Sequence, residues 1–297
     1  MATVHILSQY IWPDAAPTGW YAEQLAIRLG ELGCRVRLIG GKGAYRELQR
    51  AQPDVAITHL DHWRGRRGNL LETFVEYASV TRAFENYIIG EVGAGDVVIV
   101  TSAPPNTVRL AHSIERRGAR SVYWLQDYYP ELIRGLRDYP VMLRRSFRRL
   151  WDRKLARWDS VVKIAANLGG PESNSSVIRL WPTLQFDQTI APEPRTALYS
   201  GNLGYGHHVG LLVEACEKLR DDGFRISIRA DGPGVRRLPG WLKAEPLIGN
   251  SEEFREALLR HKVHLVAAHP GITQAVFPSK IWNSLAAHRR IICTGFA

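Results

Sequence analysis

Short apolar runs and amphipathic stretches alternate along the chain. Runs at 4–7, 36–39, 55–60, 97–101, 121–125 and 161–164 have the length and β-branched content of buried strands. Between them lie segments with helical spacing. One is 20–32, where Leu25, Leu29 and Leu32 share a face and Gly33 ends the helix; others are 70–89 and 107–115. Strand, loop, helix, strand is the unit of a parallel sheet. Several strands run into polar or proline-bearing loops: 8–18, Ser102-Ala103-Pro104-Pro105, and 126–131. In a parallel sheet such loops gather on one rim, where open α/β sheets bind ligands. Gly19, after Pro17-Thr18, would let a ligand approach the backbone closely; a plain tight turn explains it as well.

The run at 161–164 reads as the last strand of this first sheet, 169–176 as a loop, and 184–196, with Pro192 and Pro194 and little periodicity, as a linker. The alternation then restarts. Strands are expected at 197–200, 224–229 and 263–267, and helices at 209–219 and 252–259. Two domains follow, 1–185 and 186–297. In the second, glycine-containing loops again sit just after strands: Gly201-Asn202-Leu203-Gly204-Tyr205-Gly206-His207-His208 and Asp231-Gly232-Pro233-Gly234. The adjacent histidines lack the spacing and the carboxylate or thiolate company of a metal site.

The stretch 274–293 ends this domain as loop, helix and a short β-branched run. Ser279 is placed to cap the helix at 280–287, with Lys280 in its first turn. Free backbone N–H groups at a helix start, joined by a lysine, suit a phosphate. An ordinary loop–helix–strand unit with a chance lysine is the alternative. Two glycine loops beside this lysine in one small α/β domain favour nucleotide binding more than any one of them alone.

Charge sharpens this. The net charge is +10, which calls for an anionic partner: nucleic acid, an acidic membrane surface or a phosphorylated substrate. The segment 134–158 concentrates it, with eight arginines and Lys154. Its helical part sets Leu143, Phe147, Leu150, Trp151 and Trp158 on one face and Arg145, Arg149, Arg153 and Arg157 in an i, i+4 stripe on another. A surface helix docked by its apolar face accounts for this. So does contact with anionic lipid head groups. No helix-turn-helix pattern, zinc ligands or RNA-binding signature supports nucleic acid, and none is expected as a partner. Cys34, Cys216 and Cys293 form neither a disulfide framework nor a metal motif and fit a reducing cytoplasm. The N-terminus does not read as a signal peptide, and no apolar run approaches the length of a membrane span.

Six blocks now stand in order: SQYIWP with PTG, TSAPP, LQDYYPE, YSGNLG, ADGPG and FPSKIWNSLAA. Over nearly its whole length the chain resembles a family-4 glycosyltransferase of the GT-B fold, closest to the branch that builds bacterial surface polysaccharides on lipid carriers. The resemblance implies an α/β architecture of two Rossmann-like domains with parallel sheets facing a cleft. It implies a retaining, metal-independent hexosyltransferase with no cofactor beyond its nucleotide-sugar donor. The acceptor would be a lipid-linked saccharide, and the site of action the inner membrane face. Gly201, Asn202 and Gly204 would shape the loop around the donor diphosphate. Asp231, Gly232 and Pro233 would form the base and ribose side. Ser279 and Lys280 would hold phosphate oxygens, Gly19 would let its loop close over the diphosphate, and Asp127 would stand near the reacting sugar.

Two departures bear on activity. The family's E-x7-E pair falls near Ala275 and Asn283, neither of them acidic; Asn283 could still bond the donor ribose. The chain also stops at Ala297, where relatives usually continue, so the second domain looks short. These departures keep a non-catalytic or partner-dependent sugar-nucleotide-binding subunit in view. A GT-B sugar-nucleotide epimerase, which would need acidic groups in the cleft, is the more distant rival.

Overall fold

The computed structural model describes residues 2–14, 16–41, 51–66, 69–136, 141–187, 190–204, 206–249 and 251–295. Arg67, Arg137 of the arginine-rich segment and Tyr205 of the first glycine loop lie outside them. The chain forms two compact units, Met1–Pro130 with Tyr139–Arg179, and Glu131–Asp138 with Leu180–Ala297.

The first unit runs β1 (Thr3–Ser8), α1 (Pro17–Glu31), β2 (Arg35–Gly41), β3 (Ala56–Leu60), α2 (Leu70–Glu91), β4 (Val97–Thr101), a 3₁₀ turn (Pro105–Arg109), α3 (Ala111–Glu115), β5 (Arg120–Leu125), α4 (Tyr129–Leu136), α5 (Val141–Leu155), β6 (Ser160–Lys163) and β7 (Ser175–Val177). The strands pair in parallel in the order β3-β2-β1-β4-β5-β6-β7. One face packs against α2, α3 and α5 through Val80, Phe84, Ile88, Ile114, Trp151 and Leu155. The other packs against α1 through Ala22 and Ala26. Pro17 opens α1, where its fixed φ fits the first turn and its missing N–H costs nothing.

The second unit runs β8 (Glu193–Asn202), α6 (Val209–Asp221), β9 (Arg225–Asp231), a 3₁₀ turn (Pro233–Arg237), β10 (Ala244–Glu245), α7 (Ser251–Arg260), β11 (His261–Ala267), a second 3₁₀ turn (Pro270–Ile272), α8 (Lys280–Ala286) and β12 (Arg290–Thr294). Its strands are parallel in the order β10-β9-β8-β11-β12. Leu203, Leu212, Cys216, Ile228 and Leu265 form its main core. Arg289 is buried between elements. Its guanidinium donates to Leu259 O at 2.7 and 3.1 Å, to Ile190 O at 2.6 Å and to His288 O at 3.4 Å. Those carbonyls, one of them in the last turn of α7, are what such a cation satisfies.

Three expectations are corrected. The first sheet does not end at 161–164: β7 adds a short edge strand drawn from the polar loop. Its approach is fixed by Asn174, whose amide donates to Leu155 O and Trp158 O at 3.2 and 2.8 Å. Residues 184–196 are not a linker. Leu184 and Phe186 pack against Leu198, Leu258, Leu259 and Ala287, and β8 starts at Glu193. On α5, Leu143 and Leu150 are exposed, while Trp151 and Leu155 are buried, as is Trp158 in the turn after the helix. A helical residue turns about 100°, so Leu150 faces well away from Trp151, whereas Phe147 and Leu155 stay within half a right angle of it. No helix among the described residues is long and apolar enough to cross a membrane.

Candidate functional site

Because every strand of the second unit runs the same way, the loops after β8, β9 and β11 meet on one rim. The first two are joined backbone to backbone. Leu203 N donates to Asp231 O at 2.7 Å, and Gly234 N donates to Leu203 O at 2.9 Å. Asp231 turns its carboxylate inward on the loop, accepting from Gly232 N at 2.7 Å. Gly201 and Gly232 take φ of +141° and +100°, which side-chain-bearing residues rarely adopt. A Cβ on Gly232 would run into Asn202 Oδ1, and one on Gly234 would sit 2.7 Å from Leu203 O. Pro233 opens the 3₁₀ turn that follows. Gly204 meets only the Asn202 side chain, at ordinary contact distance.

Lys280 rises into this arrangement from the start of α8. Its Nζ lies 4.2 Å from the centre of the Tyr199 ring, and a Cβ on Gly201 would stand 2.7 Å from it. The ammonium is closed off from solvent and finds no hydrogen-bond acceptor among the described residues. Burial lowers its pKa from 10.5 to about 7. The ring beneath it offers a cation–π contact but no hydrogen bond.

His207, weighed in the sequence only as a metal ligand, joins this arrangement. Its ring stands edge-on to Tyr199, 6.4 Å away, and its Nδ1 is buried without a partner among the described residues. Burial, and then the Lys280 charge, push its pKa down to about 4. Periodicity offers no sign of this, because the histidine sits in a loop. His208 and His269 are engaged locally: each Nδ1 accepts a backbone N–H at 3.1 Å, from Leu211 and Gly271. Below α8, His264 bridges Leu258 O at 3.0 Å and Ser284 Oγ at 2.7 Å. The carbonyl can only accept, so Nε2 carries the proton. Ser284 Oγ also lies 3.1 Å from Lys280 O, so its single proton is shared between that carbonyl and His264 Nδ1, which ties the lysine's backbone to the sheet. A cavity of about 20 Å³, the room of a single water, opens between Ser200, His264, Lys280, Asn283 and Ser284.

Two predicted donor ligands stand differently from expectation. Ser279 does not cap α8. Its own backbone is helical (φ −60°, ψ −25°), and Ile281 N and Trp282 N bond Pro278 O and Ser279 O. The turn thus starts a residue early in the tighter 3₁₀ pattern, and the hydroxyl makes no capping bond. Asn283 is committed to the chain itself. Its Oδ1 accepts from Thr183 N at 2.8 Å and Leu184 N at 3.2 Å, and its amide donates to Thr183 Oγ1 at 2.9 Å.

In the first unit, Asp127 follows β5. Ser102 Oγ, from the TSAPP block, accepts both Gln126 N at 3.1 Å and Asp127 N at 3.0 Å and so shapes the turn that carries it. Burial raises the Asp127 pKa to about 6, and its charge is felt by Tyr77, Tyr123 and Tyr129. Gly19 has an internal reason to be glycine: a Cβ there would lie 2.6 Å from Tyr10 O. Arg145, Arg149 and Arg153 are exposed on α5; Arg157 is exposed too, but in the turn just past the helix end. The structure therefore groups Gly201, Asn202, Gly204, Asp231, Gly232, Pro233 and Lys280 in the second unit, and places Gly19, Asp127 and the arginines in the first.

No protein-family profile matches the chain. A stretch of 107 residues, 34% of the chain, is 33% identical to WcaI of Escherichia coli (strain K12), provisionally named a colanic acid biosynthesis glycosyl transferase. The match spans 26% of that relative's length. Among solved structures, the N-terminal domain of Candida albicans trehalose-6-phosphate phosphatase superposes with a TM-score of 0.68 at 9% identity, over 98% of this chain and 82% of that one. A UDP-forming α,α-trehalose-phosphate synthase from Burkholderia vietnamiensis gives 0.62 at 10%, over 100% and 85%. The pneumococcal O-GlcNAc transferase GtfA, solved with UDP and GlcNAc, gives 0.60 at 9%, over 100% and 84%. At such identities the likeness speaks for architecture. With two parallel-sheet units in one chain, it shows that this protein has the GT-B fold seen in sugar-nucleotide glycosyltransferases.

Proposed function

We propose that the chain is a glycosyltransferase that takes a sugar from a nucleoside diphosphate donor and places it on a lipid-linked saccharide in surface polysaccharide synthesis. The observation that carries this is the Lys280 ammonium, buried at the strand-end rim beside Gly201 with no hydrogen-bond acceptor among the described residues. A cation held in low dielectric without a counter-charge is destabilised, and an anionic ligand at that point relieves it. The donor diphosphate supplies that anion. As the bond to the sugar breaks, charge grows on the leaving diphosphate, and a fixed ammonium stabilises it without a metal ion. The loop of Gly201, Asn202 and Gly204 would border the diphosphate, and Asp231, Gly232 and Pro233 the nucleoside. Asp127, with a pKa near 6, is ionised at neutral pH and is the candidate polar group for the reacting sugar. Retention at the sugar carbon belongs to the same reading. The exposed arginines of α5 would hold the protein to anionic lipid on the cytoplasmic face, where each basic residue adds about 1 kcal/mol.

One observation favours a second reading. Asn283 stands where the family's ribose-binding glutamate is expected, yet its amide is engaged with Thr183 and Leu184. A weakened donor grip fits a sugar-nucleotide-binding subunit that needs a partner for turnover.

Calorimetric titration with UDP, GDP and their sugar conjugates, with and without EDTA, tests both. Binding of one nucleotide that survives EDTA and is lost in Lys280→Ala supports the donor site. Sugar transfer to a membrane extract by the isolated protein then separates enzyme from subunit. A folded protein that binds none of these nucleotides overturns the proposal.

A further inference from the structure

The outer side of α2 is apolar where a soluble helix should be polar. Leu71, Phe74 and Val75 are 77%, 66% and 53% exposed, and Ala78 beyond them is exposed too. The spacing is i, i+3, i+4, i+7, a single stripe, and it turns away from the stripe of Val80, Phe84 and Ile88 buried in the core. Trp63, 46% exposed, sits on the loop whose backbone bonds Ser79 of the same helix. Contiguous exposed apolar groups of this size mark an interaction surface.

This surface is held in place. Asn69 caps α2, its Oδ1 accepting from Leu71 N at 3.1 Å and Glu72 N at 3.3 Å. The preceding loop is laced along the helix: Trp63 N donates to Ser79 Oγ at 2.8 Å, Gly65 N to Glu76 Oε2 at 3.0 Å and Arg66 N to Glu72 Oε2 at 2.6 Å. Gly65 makes the lacing possible, since a Cβ there would stand 2.8 Å from Glu72 O. The two acidic side chains next to the stripe are thus turned onto backbone N–H groups, while Arg64, Arg66 and Arg82 are exposed around it. These exposed arginines can pair with anionic head groups. On the same face of the seven-stranded sheet, α5 exposes Met142, Leu143 and Leu150 among its arginines.

We infer that Trp63 and the Leu71–Phe74–Val75 stripe of α2 form a wedge that inserts into an anionic lipid bilayer. Aromatic and aliphatic side chains ringed by arginine fit the boundary between head groups and acyl chains. A protein partner with the same fit would need an acidic rim around an apolar groove, whereas an anionic membrane offers negative head groups over hydrocarbon everywhere. The wedge goes beyond the proposed function, which rests its membrane contact on the α5 arginines, and it is independent of the donor site.

The test is co-sedimentation of the full chain with vesicles of phosphatidylcholine and phosphatidylglycerol, and of phosphatidylcholine alone. It compares the natural protein with the double variant Leu71→Ser, Phe74→Ser and with Trp63→Ser. All three positions are exposed, so folding should survive; melting temperature and nucleotide binding on the same samples check that. The expected result is a drop of about tenfold or more in partitioning for the double variant, with unchanged nucleotide binding. Brominated acyl chains should quench tryptophan emission in the natural protein and much less in Trp63→Ser. Equal partitioning and equal quenching for all three proteins would overturn the inference. So would a dimer in light scattering that the double variant converts to monomer while vesicle binding stays unchanged, because the stripe would then be a self-association surface.

Discussion

The two units each bring one ionisable group to the loops beyond a parallel sheet, and burial acts on the two in opposite senses. Asp127 in the first is raised to about 6, and Lys280 in the second is lowered to about 7. Both shifts have burial as their first cause, and neither group has a counter-ion among the described residues. Two other buried cations among the described residues are handled otherwise. Arg289 is surrounded by carbonyls, and Lys163 Nζ reaches Gly170 O at 3.4 Å. The difference teaches where to look for ligands: a structural ion brings its acceptors with it, and a binding ion waits for them.

The sharpest way to break this comparison is Lys280→Met, which keeps the apolar stem over Tyr199 and removes the charge. Donor affinity should fall about 100-fold or more, the scale for removing one partner of a desolvated charge pair. An unchanged dissociation constant would make Lys280 a packing residue. Asp127→Asn should leave nucleotide binding intact and reduce turnover about 100-fold. Equal turnover would remove Asp127 from the chemistry.

Gly201→Ala tests the loop that covers the ammonium. The lysine tip can move away from the new methyl group, but a φ of +141° stays unfavourable for alanine. The expected loss is about 1–3 kcal/mol of stability, read as a lower melting temperature. A variant that melts with the natural protein would mean the loop adopts another conformation.

The smallest effect is a proton. Free Lys280 is mostly neutral at pH 8 and mostly charged at pH 6. A bound anion raises its pKa, so donor binding should take up close to one proton at pH 8 and far less at pH 6. Calorimetry in two buffers of different ionisation enthalpy measures this, and identical uptake at both pH values would contradict it. The same shift has a sign for stability. The unfolded lysine holds its proton to 10.5 and the folded one only to about 7, so this group makes the protein more stable as pH rises between those values.

Much of the fold is legible in the sequence because buried parallel strands are written as short β-branched runs and their helices as amphipathic stretches. What is missed has physical causes. β7 is Ser175-Ser176-Val177, too short and too polar to show a pattern, and it is specified by the contacts of Asn174. The 184–187 segment carries too few apolar residues to show periodicity, yet Leu184 and Phe186 suffice to dock it. Glycine positions in the site are legible because backbone demands leave a mark on residue type. The missing Ser279 cap and the Asn283–Thr183 contact are not legible because a side chain's partner is chosen by three-dimensional neighbours: the early turn in one case, Thr183 in the other.

Arg289, with its three carbonyl partners, bears on how the net charge of +10 is understood. It, Lys163 and Lys280 point inward, so they add to the formal count and little to the field outside. The field that reaches a distant surface comes from residues such as the exposed arginines of α5. Salt should therefore divide the cations into two populations. Ionic strength that halves a long-range attraction will leave the inward three almost untouched, because mobile ions do not enter where they sit.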